Sequence, residues 1–158
     1  MAVLLRAITY STLFIGLVLA FFPAQVLSRS GVTSPTSFGV AQLAGMIVAA
    51  AGATIAIWCI LSFALVGHGT PAPFDPPRRL VARGPYKYVR NPMYLGAGLA
   101  LAGAALLYGS AGLWVYAGGF LVLMHFFVVL YEEPTLRGTF GGDYKAYCQR
   151  VHRWWPGR

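Results

Sequence analysis

Charge is scarce in this chain, and acidic charge scarcest of all. Asp and Glu together number 4 in 158 residues, and charged residues make up 10% of the chain against a hydrophobic share of 58%. Soluble globular domains carry about 25% charged residues, so a fold solvated on all sides by water is excluded. Residues 30–74 and 91–131 contain no Asp, Glu, Lys or Arg. Each stretch is long enough to cross the ~30 Å hydrocarbon core of a bilayer. Cysteine is nearly absent too. Cys59 falls in an apolar run and Cys148 in a basic tail. Much of the membrane depth would separate them, so no disulfide is expected, and neither has the spacing of a metal ligand.

The charge that is present is basic, with a formal net charge of +8. Most of the Lys and Arg residues fall in segments 76–90 and 137–158, each beside an apolar run. That clustering is the positive-inside pattern of membrane proteins. Attraction to anionic headgroups, about 1 kcal/mol per basic residue near the surface, accounts for the excess. The bilayer is therefore the expected partner, and nucleic acid is not.

The apolar runs predict an all-α integral membrane protein with about four transmembrane helices in a single domain. Residues 1–66 hold two N-terminal spans, over 3–27 and 38–66. The first is longer than the ~7–15-residue core of a cleaved signal and carries only Arg6 at its amino end, so a retained helix is expected. Small residues Gly45, Ala49 and Ala53 on the second predict close helix packing. Residues 67–91 form a proline-rich basic loop in which Asp75 and Arg79 read as solvated and the role of His68 stays open. Residues 92–131 exceed one ordinary span, and the "YGSAG" of 108–112 divides them into a helical hairpin. Asn91-Pro92 reads as its start, with Asn as cap and Pro at the first helical position. Gly96, Ala100, Gly103 and Ala104 again suit close packing. Pro134 is expected to end the last span and to bias Glu133 away from helical geometry. Residues 132–158 then form an amphipathic tail, whose aromatic and basic residues suit the headgroup level. Both termini are expected on the cytoplasmic side, with Arg29 on the far side.

Chemistry concentrates at one end of the hairpin. Glu132 and Glu133 are adjacent carboxylates at the carboxyl end of a helix, where the macrodipole disfavours negative charge and something must compensate. Pairing with Arg90 or Arg137 would suffice; so would a ligand. "RGPYKYVRNPMYLG", residues 83–96, places Arg90, Asn91 and Tyr94 at the mouth of the third span, and the hairpin returns Glu132 to the same end. His125 precedes Glu132 by seven residues, on the same helical face and ~10 Å deeper, either bonded to a neighbouring helix or in a functional role. The tail contributes "DYKAYCQRVHRWWP".

The ordered run of GPY, VRNPMYLG, an uncharged hairpin, EE and FGxxYxxYxxxVxRWWP resembles the isoprenylcysteine carboxyl methyltransferase and phospholipid methyltransferase superfamily, over residues 84–156. Its RHPxY pattern reads here Arg90-Asn91-Pro92-Met93-Tyr94, with Asn91 in place of histidine. The resemblance implies S-adenosylmethionine as methyl donor and no metal. By position, Gly84, Tyr86, Arg90, Asn91, Tyr94, Glu132 and Glu133 would line the cofactor site together with Tyr144, Tyr147 and Arg153, and His125 is a further candidate. Arg90, Glu132 and Glu133 would carry the catalytic role. Asn91 can mimic one imidazole nitrogen but cannot titrate, so no proton transfer is expected there.

The leading expectation is a methyltransferase acting on a lipidic or prenylated substrate of the isoprenylcysteine carboxyl type, because a carboxylate acceptor needs a cation such as Arg90 for orientation. A phospholipid amine methyltransferase is the alternative, in which Glu132, Glu133 or His125 serves as base. A non-enzymatic scaffold or small transporter is a third reading. It is disfavoured because the chain shows neither an inverted repeat nor a charged, unwound segment at mid-membrane.

Overall fold

The computed structural model describes residues 9, 12–32, 34–35, 38–67 and 78–156. Arg6, His68 and Asp75 lie outside the described residues. What is described is helical. α1 is Thr12–Arg29, α2 is Val40–Gly67, α3 is Pro92–Tyr108 and α4 is Ala111–Arg150. α1, α2 and α4 are long and apolar enough to cross a membrane, and α3 is a shorter apolar helix. The 40 residues of α4 rise about 60 Å, twice the hydrocarbon thickness. Only its apolar first half, residues 111–131, is a candidate for the lipid core.

α2 and α3 run antiparallel with their backbones in contact. A Cβ added to Gly52 would sit 2.5 Å from both Gly96 O and Ala100 N, and one on Gly103 would sit 2.3 Å from Ala49 N. Only residues without bulk let the main chains approach this far. The contact stripe on α2 is Gly45, Ala49, Gly52 and Ala56. Ala53, expected in it, is exposed and faces away. The seven-residue step from Gly45 to Gly52 and from Ala49 to Ala56 holds the stripe on one side of the helix, which a run of four-residue steps cannot do.

The hairpin breaks within the predicted segment. α3 closes on left-handed Gly109, and the Ser110 side chain accepts from Leu113 N–H at 3.3 Å to start α4. α1 packs on the same pair of helices. Tyr116 donates to Val18 O at 2.8 Å, and Val18 and Leu19 pack against the core of Tyr94, Ala97, Leu101, Ala117, Phe120 and Val128. A Cβ on Gly112 would meet Val26 and Ser30, which puts the Arg29 end of α1 beside the hairpin turn. The opposite end of the bundle holds the carboxyl end of α2, the segment 78–91, the start of α3 and the middle of α4.

At that end lies the described part of the basic segment, 78–91. Arg78 N–H donates to Gly67 O at 2.9 Å, and Val81 and Tyr86 are buried against Cys59. Gly84 begins a short 3-10 turn, Gly84–Lys87, at φ +58°. A side chain there would press on the Trp58 indole nitrogen at 3.2 Å and on Ser62 Oγ at 3.4 Å, so both backbone and space call for glycine.

Candidate functional site

Pro134 does not end the last helix. Glu133 is helical, φ −63° and ψ −43°, and α4 continues to Arg150. A proline inside a helix removes one N–H and drives its ring at the carbonyl four residues back. Here the preceding turn widens to π geometry over Val128–Glu132, and Glu133 N–H reaches Val128 O, five residues back. The widened turn absorbs the clash without breaking the helix. The same device stands in α1, where Ile15–Phe21 is π-helical and Phe22 N–H bonds Leu17 O immediately before Pro23. The extra residue in the turn changes the phase of the helix and decides where the twin acids face.

Those acids have different surroundings. Glu133 is buried, 4% exposed, and sits among three arginines. Arg153 grips it with two bonds, Nε to Oε1 at 2.6 Å and Nη2 to Oε2 at 3.0 Å. Arg90 Nη1 lies 3.1 Å from Oε1, and Arg137 Nη2, one turn on, lies 3.6 Å from Oε2. Burial pushes the Glu133 carboxyl up, but the bond from Arg153 and the charges of Arg90, Arg153 and Arg137 outweigh it and hold the group below its ordinary value. Glu132 is half-buried, and its hydrogen bond comes from Tyr94 Oη, 3.0 Å from Oε2. Burial raises its carboxyl against the lowering by Tyr94, and the neighbouring Glu133 charge adds to the rise.

The tail folds back over this end. Gly141, at φ 51° and ψ −118°, breaks the helical path within α4, a conformation essentially reserved for glycine. Tyr144, Tyr147 and Val151 then pack as a buried cluster with Leu80, Leu136 and Phe140. Tyr147 Oη donates to Tyr86 O at 2.6 Å. Burial raises the hydroxyls of Tyr86, Tyr144 and Tyr147, keeping them protonated as donors. Past Arg150 the chain becomes a strap whose consecutive residues dock on the 78–91 segment, the start of α3 and α4. Arg90 N–H donates to His152 O at 2.9 Å. Asn91 Nδ2 donates to Arg153 O at 3.2 Å, and Trp154 Nε1 donates to His125 Nδ1 at 3.1 Å.

Asn91 thus departs from its expected role. It stands at the start of α3 but makes no side-chain cap bond; its amide nitrogen instead donates to the strap. Arg90, Asn91, Tyr94, Glu132, Glu133 and Arg153 are brought together, and Tyr86, Tyr144 and Tyr147 form the layer beneath the strap. Gly84 supports that layer from the α2 side. His125 is not in the acid cluster; it is exposed and tied to Trp154. Sequence reasoning did not single out two contacts: Arg90 Nη1 donates to Cys148 Sγ at 2.8 Å, and Trp154 reaches His125. Neither has a sequence signature, since both depend on the reversal at Gly141.

Arg90 Nε is buried without a hydrogen-bond partner among the described residues. A buried guanidinium nitrogen left without an acceptor is costly. With Glu132 bonded only to Tyr94 among the described residues, one end of the bundle presents an unfilled cationic donor and an acidic acceptor within the same cluster. No group of three or more His, Cys, Asp or Glu side chains able to hold a metal occurs among the described residues.

These features define a class: an all-helical integral membrane protein with a polar site at one end of its bundle, closed by its own tail. A model of the phospholipid methyltransferase family matches residues 40–143. The chain belongs to that family, within the isoprenylcysteine carboxyl methyltransferase superfamily, and so is a membrane methyltransferase. It is also similar to an uncharacterized protein of Haemophilus influenzae, 34% identical over 62 residues that cover 39% of this chain and 98% of that protein. No solved structure matches.

Proposed function

We propose that the protein transfers a methyl group from S-adenosylmethionine to a lipidic acceptor, at the end of the bundle where Tyr94, Glu132 and Arg90 meet. The observation that carries this reading is the unequal state of the twin acids. Glu133 is consumed by three arginines, whereas Glu132 takes a hydrogen bond from Tyr94 and has no ion pair among the described residues. The donor molecule carries an ammonium group, a carboxylate and ribose hydroxyls. Glu132 suits the hydroxyls, and the unpartnered Arg90 Nε suits the carboxylate. When bound, the cofactor supplies an electrophilic methyl on a sulfonium.

The chain's own contribution is binding and orientation. Tyr94 fixes the Glu132 carboxylate and Glu133 fixes Arg90 and Arg153 beneath the strap, so the polar groups are preorganised. Four passes, with both termini and the polar site on the cytoplasmic face, complete the proposal. They are supported by the basic segments 78–90 and 137–153 gathered at that end.

An amine acceptor fits this arrangement better than a carboxylate. The cation expected to orient an acceptor carboxylate, Arg90, has its Nη1 committed to Glu133 and Cys148, and its Nε is assigned to the cofactor's carboxylate. An ammonium acceptor must lose a proton before attack, and Glu132, whose affinity for protons is raised by burial, is suited to take it. Incubation of purified protein with labelled S-adenosylmethionine and a panel of aminophospholipids and prenylcysteines tests the reading. Label should enter the aminophospholipid. Label in the prenylcysteine would reverse the acceptor, and label in neither would reject the activity.

A further inference from the structure

His125 lies in the apolar half of α4, seven residues before Glu132 and so roughly 10 Å deeper. It is exposed, and so are its neighbours Val122 and Phe126, so this face of the helix meets lipid. Trp154 closes on it from the strap, with ring centroids 6.0 Å apart and the indole nitrogen 3.1 Å from Nδ1. An indole N–H can only donate, so Nδ1 presents its lone pair and the ring proton resides on Nε2. Among the described residues nothing accepts from that Nε2–H. In hydrocarbon an N–H without an acceptor is costly, because no water can replace the missing partner.

The lipid acceptor itself is suited to fill that need. Its reacting group must reach the Glu132 and Tyr94 end, while its body lies deeper along the lipid-facing surface. In a glycerophospholipid the ester carbonyl oxygens follow the headgroup at about the depth of two helical turns. A prenylcysteine offers only a thioether and hydrocarbon there. Resting on the acceptor reading above, we infer that His125, its tautomer fixed by Trp154, is a substrate-binding residue whose Nε2–H donates to an ester carbonyl of a glycerolipid acceptor. The strap therefore has two duties: Arg153 closes the polar site, and Trp154, the next residue, sets the donor that holds the acceptor's glycerol region.

The test compares diacyl with dialkyl phosphatidylethanolamine, which share amine and phosphate and differ in the ester carbonyls. Alkyl maltoside micelles make the added lipid the only ester present, which separates an acceptor contact from one with bystander lipid. Affinity is read by native mass spectrometry, and KM by methyl transfer. The wild-type protein should bind the diacyl lipid roughly tenfold tighter, the worth of about one hydrogen bond. His125→Phe should erase that preference. His125→Gln should retain it, since an amide oxygen can accept from Trp154 while its N–H donates onward. Equal wild-type affinity for the two lipids overturns the inference, even if His125→Phe does not fold, and so does an ester preference that survives in His125→Phe. A His125-dependent ester preference in binding with neither lipid methylated would uphold the contact and reject the activity. Methylation of both lipids with no ester preference would do the reverse.

Discussion

Adjacent residues of identical chemistry acquire opposite duties here, because charge neutralisation and proton affinity are set by what lies within a few ångströms. Glu133, locked by Arg153, Arg90 and Arg137, is the keeper of the strap. Replacing it with Ala should cost about 3 kcal/mol, the low end for a buried ion pair because Arg153 and Arg137 keep contact with water. The loss should appear as rapid tryptic cleavage after Arg150 and Arg153 in the variant and slow cleavage in the wild type. The pH dependence has a definite sign. The folded-state carboxyl of Glu133 lies below its unfolded value, so its contribution is complete above the ordinary carboxylate pKa of about 4 and disappears as pH falls through the lower folded value. Hydrogen-exchange protection of residues 151–155, taken relative to the intrinsic exchange rate at each pH, should therefore be flat from neutral pH down to about 5 and fall only in stronger acid; a fall near neutrality would assign the strap to another group. The acids and the Arg-Asn-Pro mouth were legible in the sequence. Which acid faces which partner was not, because one widened turn before Pro134 resets the helical phase and leaves no mark in a pattern of apolar spacing.

At the scale of elements, two devices position the site. One is the glycine contact of α2 with α3. Gly52→Ala should lower thermal stability in detergent by an amount equivalent to about 1–3 kcal/mol, despite alanine's better helix propensity, since the new methyl lands on the α3 backbone. Gly118→Ala, where nothing lies within 4 Å, should be neutral or mildly stabilising. Equal effects at the two sites would contradict the packing described. The second device is the π turn of Val128–Glu132. Pro134→Ala restores the missing N–H and removes the ring, so the turn can relax to α geometry and rotate Glu132 and Glu133 by up to about 100°. S-adenosylmethionine affinity should fall while the melting temperature holds or rises. The small-residue stripes, the hairpin turn and the start of α3 were all legible in the sequence. Proline was misjudged because propensity describes a proline's effect on an isolated α turn, while this helix is held on both sides by tertiary contacts.

At the scale of the whole molecule, hydropathy and the placement of charge decided most of the architecture. Two uncharged stretches require a membrane, and folding the second back on itself brings Arg90 within 3.1 Å of Glu133 although 43 positions separate them in sequence. The reversal of the tail at Gly141 was not legible, since a glycine in a polar segment fits a linker as well as a turn. In a background with Cys59 and Cys148 replaced by Ser, Ser30→Cys at the hairpin end and Lys145→Cys at the tail end should react with impermeant maleimide from opposite sides of sealed vesicles; reaction from one side would refute the placement of the hairpin turn and the tail on opposite faces. The most direct measurement is calorimetry of S-adenosylmethionine with the purified wild-type protein and with Glu132→Gln. Saturable binding should occur in the wild type and weaken at least tenfold in the variant, the worth of one charge-assisted hydrogen bond, with its melting temperature preserved. Absence of binding in the wild type, or unchanged affinity in Glu132→Gln, would contradict the site.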